Sequence, residues 1–248
     1  MNVGEVHPGA DNSRMIETYA ILQKQFVAKR DKRFYDYLIA KRCLTEEVID
    51  KFELGYNDRY FDMKNGEPLI AKDGITIPFR DMTGRIVAFQ SRFIDNQTTA
   101  DGRELRYFFT HNLPLAYERS KYIYNLDRVL THHYNRSVII VEGVFDLISL
   151  VVAGVHNVVS PLQNMVGVET AEILYRYFDR VYFLMDKGAT GEQILEFKNK
   201  RMYEMELYSI AVNNVDGKEL KDANDMLKAG IDIRAYMKEN RRLVARKY

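Results

Sequence analysis

The stretch Ser137-Val138-Ile139-Ile140-Val141-Glu142-Gly143-Val144-Phe145-Asp146 decides how the chain is read. A short β-branched run suits a buried strand, and it stops abruptly at an acid and a glycine. Beyond the glycine the period changes. Residues 145–153 read as helix, 157–160 as a second short strand, 169–177 as helix and 180–185 as a third strand. Residues 190–204 read as helix and 207–212 as a fourth strand. Strands alternating with helices predict an α/β unit with a largely parallel sheet. Ligands of such sheets collect beyond the carboxyl ends of the strands. Acids stand at those ends: Glu142 after the first strand, Asp186 after the third, and Asp222 beyond the fourth, past the loop 213–220.

Upstream the pattern is mixed. Ile16, Tyr19, Ala20, Gln23, Phe26 and Val27 recur at helical spacing and predict a helix over 14–40. Thr45 opens a second helix, with Glu46 and Glu47 in its first turn and Val48, Ile49 and Phe52 on one face, and Gly55 is expected to end it. Residues 74–80 and 85–93 are β-like runs joined by the turn Asp81-Met82-Thr83-Gly84, and the polar segment 96–103 reads as a loop. The expected organisation is an α+β N-terminal basic subdomain over 1–130 and an α/β unit over 131–230. A basic tail over 231–248 completes it, with Arg234, Lys238, Arg241, Arg242, Arg246 and Lys247 against Asp232 and Glu239. Such a tail suits a solvated helix end or contact with phosphate.

Composition bounds the class. The 248 residues are 46% hydrophobic and 29% charged, the balance of a water-soluble globular protein, and long enough for a sizeable core. Net charge is +1, so global charge selects no partner. No apolar run approaches a membrane span, and residues 1–11 carry no signal-peptide core. One cysteine, Cys43, excludes an internal disulfide and a cysteine-based structural zinc site. The expectation is a cytoplasmic protein.

Three strand-end carboxylates of one sheet can converge on a hard cation. Magnesium takes oxygen ligands and keeps several waters, so two or three carboxylates with a substrate phosphate suffice. The competing reading is that each acid caps the helix after it. Asp146, one turn on from Glu142, can face the same cleft. Gly143, Gly188 and Gly191 permit tight turns or close approach of a phosphate.

These residues resemble a known family. Val141-Glu142-Gly143-Val144-Phe145-Asp146 resembles the glutamate motif of Toprim domains, and Leu184-Met185-Asp186-Lys187-Gly188-Ala189-Thr190-Gly191 resembles their DxDxxG motif. Lys221-Asp222-Ala223-Asn224-Asp225-Met226-Leu227 resembles the acidic motif that closes the unit in DnaG-type bacterial and phage primases. Upstream, Arg42 to Tyr56, the pair Ile77–Asp81 and Gly84–Arg92, and Arg106-Tyr107-Phe108 with Tyr117 to Leu126 look like the primase RNA-polymerase domain. The likeness covers roughly residues 35–228. Two positions depart from it: Gly188 replaces the second aspartate of DxDxxG, removing one ligand of a two-metal arrangement, and Asn224 stands where many primases have an acid.

The resemblance implies a DNA primase: a nucleotidyltransferase making RNA primers from nucleoside triphosphates on a single-stranded DNA template, with Mg2+ or Mn2+. It implies catalytic roles for Glu142, Asp186 and Asp222, with Asp146 added to the metal set. It implies phosphate contacts for Arg92, Arg106, Arg119 and Lys121, and a replicative helicase as partner. The family's zinc-binding domain is expected to be absent, because Cys43 stands alone, and its helicase-binding domain absent or reduced to the basic tail. The competing readings are a non-catalytic nucleic-acid-binding replication accessory, favoured by Gly188, and a Toprim nuclease.

Overall fold

A four-stranded antiparallel sheet and a five-stranded, mostly parallel sheet are built, one in each of two compact units, Met1–Arg119 and Ser120–Tyr248. The computed structural model describes residues 13–58, 73–98, 101–109, 122–132, 136–161, 166–188, 194 and 205–245. The division falls between Arg119 and Ser120, ahead of the position 130 expected from the sequence.

In the first unit the helix expected over 14–40 is broken. Helix α1 (Ser13–Ala28) ends, Asp31 caps α2 (Lys32–Tyr35) through its carboxylate on the Phe34 N–H, and a π-helical turn (Asp36–Lys41) comes next. Thr45 caps α3 (Glu46–Lys51) as its sequence predicts, accepting from the Val48 N–H at 3.3 Å. Gly55 does not end that helix. Glu53, at φ 51°, makes the reversal, and Gly55 begins strand β1 (Gly55–Asn57). Glycine is needed there for space, since a Cβ would lie 2.6 Å from the Cβ of Phe26. Strands β2 (Gly74–Arg80), β3 (Ile86–Thr98) and β4 (Glu104–Phe109) complete the sheet in the order β1-β2-β3-β4. The segment expected as a loop from residue 96 starts as strand: β3 runs to Thr98, pairing Gln97 with Leu105 and Thr98 with Glu104 after a register shift.

The β2–β3 turn rests on Asp81. Its carboxylate accepts from the Thr83 N–H, the Thr83 hydroxyl and the Arg85 N–H, and pairs with the Arg85 guanidinium. Burial pushes this carboxyl up, but the bonds from Thr83 and Arg85 outweigh it and hold it below the usual range. Phe89 from β3 packs edge-to-face with Tyr19 and Phe26 from α1, both at 5.4 Å, which seats the helix on the sheet.

The second unit begins, among the described helices and strands, with α4 (Leu126–Leu130). The order β5 (Ser137–Ile140), α5 (Val144–Val152), β6 (Val158–Val159), α6 (Val168–Tyr177), β7 (Arg180–Phe183), β8 (Glu206–Ile210) realises the expected alternation. The expected helix over 190–204 lies outside the described residues except for Ile194, which is helical. The sheet order is β6-β5-β7-β8-β9, and the first four of these strands pair in parallel. Strand β5 therefore has β6 on one side and β7 on the other, which makes the gap between β5 and β7 the switch point where a doubly wound sheet opens a crevice.

The region expected as a tail is part of this unit. After α7 (Ala223–Lys228), α8 (Ile233–Asn240) buries Ile233 and Tyr236, and the Tyr236 hydroxyl donates to the Ala211 carbonyl at 2.8 Å. Strand β9 (Arg241–Ala245) then pairs antiparallel with β8. Buried apolar anchors and a ladder of hydrogen bonds outweigh the local excess of charge. Arg246 and Lys247 lie outside the described residues.

Candidate active site

Glu142 and Asp186 sit just past the ends of β5 and β7, at the switch point of the sheet. They are joined directly: the Asp186 N–H donates to Glu142 Oε1 at 3.4 Å. Behind Glu142, the Ser160 hydroxyl donates to its carbonyl at 2.8 Å and fixes the backbone from the end of β6. Glu142 is not a helix cap. That position of α5 belongs to Gly143, whose backbone is extended. A Cβ at Gly143 would stand 2.9 Å from Asp146 Oδ2, so a side chain there would displace that carboxylate.

Asp146, in the first turn of α5, accepts from the Asn224 N–H at 3.4 Å, and so ties α5 to the start of α7. Asn224 is 1% exposed; its side-chain amide donates to Ser149 Oγ at 2.9 Å, and that hydroxyl donates to the Phe145 carbonyl. An acid at position 224 would bury a charge where a donor is needed, so this departure from the family pattern has a packing reason.

Asp222 does serve as a cap. Its Oδ1 accepts from the Asp225 N–H at 2.7 Å at the start of α7. The Lys187 N–H donates to the Lys221 carbonyl at 2.9 Å, which lashes the segment after Asp186 beside Asp222. Asp225, in the first turn of α7, adds a fifth nearby acid and pairs with Lys228 at 2.6 Å.

The electrostatics reflect this crowding. The Asp186 carboxyl is pushed up to about 7, by burial first and then by the charges of Glu142, Asp222 and Asp225. Burial also raises Glu142, with the bond from the Asp186 N–H opposing it. Among the described residues, no three acidic or histidine side chains are already gathered as a metal cage. The donor set is all oxygen, it concentrates negative charge on one half-buried carboxyl, and it suits a hard cation that keeps waters and shares phosphate ligands. Gly188 supplies no ligand, and its φ of +94° is a conformation that side-chain-bearing residues rarely adopt.

The basic residues are placed differently. Arg92, on β3, is only 8% exposed; its guanidinium stacks at 4.8 Å on the Tyr107 ring and donates to the Tyr37 hydroxyl at 2.9 Å. Arg106, on β4, is exposed and paired with Glu104 at 2.7 Å. Arg119 and Lys121 lie outside the described residues. Sequence reading missed Tyr37: it lies on the apolar stripe of Tyr19, Phe26 and Phe34 and reads as core, whereas its contact is with Arg92, 55 residues on. Asp225 was legible only as an acid one turn past Asp222.

Among known proteins, residues 139–227 match the Toprim_2 family model, described as Toprim-like. The DNA primase of Borreliella burgdorferi is 26% identical over 208 residues, covering 73% of this chain and 37% of that protein. The DNA primase of Rickettsia prowazekii is 29% identical over 213 residues, 75% of this chain and 34% of that protein. The chain thus spans little more than a third of these relatives. The Aquifex aeolicus primase structure, containing zinc-binding and RNA polymerase domains, superposes with a TM-score of 0.75 at 18% identity, over 92% of this chain and 60% of that one. A DnaG primase catalytic domain bound to single-stranded DNA also gives 0.75 at 16% identity, over 92% and 79%. The fold is therefore that of the DnaG catalytic core. No described helix is long and apolar enough to cross a membrane.

Proposed function

We propose that this homologue of bacterial DNA primases, with its Toprim-like domain at residues 139–227, is itself a template-directed primase. Its reaction joins ribonucleoside triphosphates on single-stranded DNA. The observation that carries the reading is the convergence of charge from Glu142, Asp222 and Asp225 on the half-buried Asp186 carboxyl at the sheet's switch point. Such crowding of like charge is costly for folding alone and is characteristic of a site built for a cation.

Glu142, Asp186 and Asp222 would hold Mg2+ or Mn2+, with Asp146 alongside. The cation supplies charge neutralisation at the phosphates and a more acidic attacking hydroxyl when bound. The chain's own part is positioning. The Ser160 bond and the Asp186 N–H fix Glu142, so its carboxylate is set before substrate arrives, as ligand or as acceptor of the hydroxyl proton. Arg92, Arg106, Arg119 and Lys121 would hold template or nucleotide phosphates, orienting the strand while base pairing selects the nucleotide. A replicative helicase is the expected partner.

The test is incorporation of labelled ribonucleotides on single-stranded DNA with magnesium or manganese. Template-dependent RNA products support the reading. DNA binding without synthesis would transfer it to an accessory protein, and strand cleavage would transfer it to a nuclease.

A further inference from the structure

Arg92 is nine-tenths buried, and among the described residues its guanidinium has no carboxylate partner. Its Nε–H goes to the Tyr37 hydroxyl at 2.9 Å and one Nη1–H to the Arg106 carbonyl at 3.3 Å, which leaves three of its five N–H groups without an acceptor among the described residues. The exposed carboxylate that feels its charge, Glu104, is occupied by Arg106. Burying an unneutralised guanidinium is expensive unless something else supplies the anion.

Tyr37 is what holds it. The same hydroxyl accepts from Arg42 Nη2 at 2.9 Å and Arg42 Nε at 3.2 Å, so it is shared by arginines from two elements, the turn after the π-helix and strand β3. The Lys41 ammonium stands 5.3 Å and the Arg42 guanidinium 5.4 Å from the Tyr37 ring centroid. Burial alone would raise the phenol, but Arg42 and Arg92 outweigh it and lower it. An aspartate or glutamate in this position would also hold two arginines, but it would cancel their charge. A phenol orients Arg92 and leaves its charge available.

The geometry points to Tyr37 as a positioning residue that presents the Arg92 guanidinium to a phosphate of a nucleic-acid strand. This rests on the proposed role of Arg92 in holding template, and adds what sets it.

The experiment is a double-mutant cycle on the full chain, Tyr37→Phe with Arg92→Gln. It is read as affinity for a fluorescent single-stranded DNA oligonucleotide across a salt series, with ATP in place of DNA as a second arm and thermal unfolding as a control. Tyr37→Phe is expected to weaken DNA binding roughly 5-fold, the size of one ordinary hydrogen bond. In the Arg92→Gln background it is expected to change neither affinity nor salt slope. Arg92→Gln itself is expected to reduce the slope by about 0.7, one phosphate contact on a single strand. An equal loss from Tyr37→Phe in both backgrounds would overturn the proposal, because a structural role would not need Arg92. So would an effect of both variants on ATP binding alone. No effect of Arg92→Gln on DNA would instead defeat the assignment of Arg92 to template.

Discussion

Asp186 and Glu142 are linked main chain to side chain, the N–H of one donating to the carboxylate of the other at 3.4 Å across the gap between two parallel strands. The contact orders Glu142 but leaves the Asp186 carboxyl facing like charge. That asymmetry makes the acidic edge sensitive to pH and to cations.

The first consequence is for stability. Asp186 has its carboxyl at about 7 in the folded chain against 3.8 unfolded. A carboxyl raised by folding is stabilising while protonated, so this contribution is fully present below about pH 4 and lost as pH rises through 7. Glu142, also raised, acts in the same direction. After discounting for solvent screening, the loss is about 1–2 kcal/mol. Thermal unfolding in EDTA between pH 4.5 and 8 is expected to show it. Asp186→Asn is expected to flatten the slope and raise Tm at pH 8; a lower Tm at pH 8 would refute the crowding.

Metal affinity depends on Gly188. With no carboxylate at that position, the free protein is expected to bind magnesium weakly, and more tightly once nucleotide phosphate is present. Manganese is expected to bind better than magnesium at the same oxygens. Calorimetric titration with each metal, with and without nucleotide, checks this. Tight magnesium binding by the free protein would mean that another acid, such as Asp225, has filled the place. Gly188→Asp is a poor rescue because φ there is +94°.

Two glycines are expected to respond to an added methyl, each in its own way. Gly143→Ala would press a methyl against Asp146, and is expected to reduce synthesis more than stability. Gly55→Ala meets Phe26 at the α1–sheet contact and is expected to cost about 1–3 kcal/mol in denaturant unfolding.

Asn224→Asp removes the donor to Ser149 in a buried site and is expected to cost about 2–4 kcal/mol in the same measurement. If Asn224→Asp instead proves neutral and improves metal binding, the position is a ligand site and its packing role is secondary.

Much of the fold was legible in the sequence, for identifiable reasons. The β-branched run at 137–141 and its terminal acid expose a parallel strand because both faces of such a strand are buried. Thr45 was legible because capping is a local interaction. The break in the first helix was hidden, since nothing in the apolar spacing over 14–40 signals that Asp31 will cap a new turn or that a π-turn will come after it. The roles of Asp222 as a cap and Asn224 as a buried tie depend on how α7 begins and on α5 and α7 meeting, a tertiary contact that spacing does not encode. Tyr37 was invisible for the same reason: its importance lies in a strand 55 residues away.

The most direct measurement is primer synthesis by the wild-type chain beside Glu142→Gln and Asp186→Asn, on single-stranded DNA with ribonucleotides, in magnesium and in manganese. A primase with its metal site at this acidic edge gives template-dependent RNA from the wild type. Both variants are expected to lose roughly 100-fold or more under both metals, the scale of removing one charge-stabilising group from a site, with DNA binding retained. Undiminished synthesis by either variant would contradict the assignment, because the chemistry would then lie elsewhere in the chain.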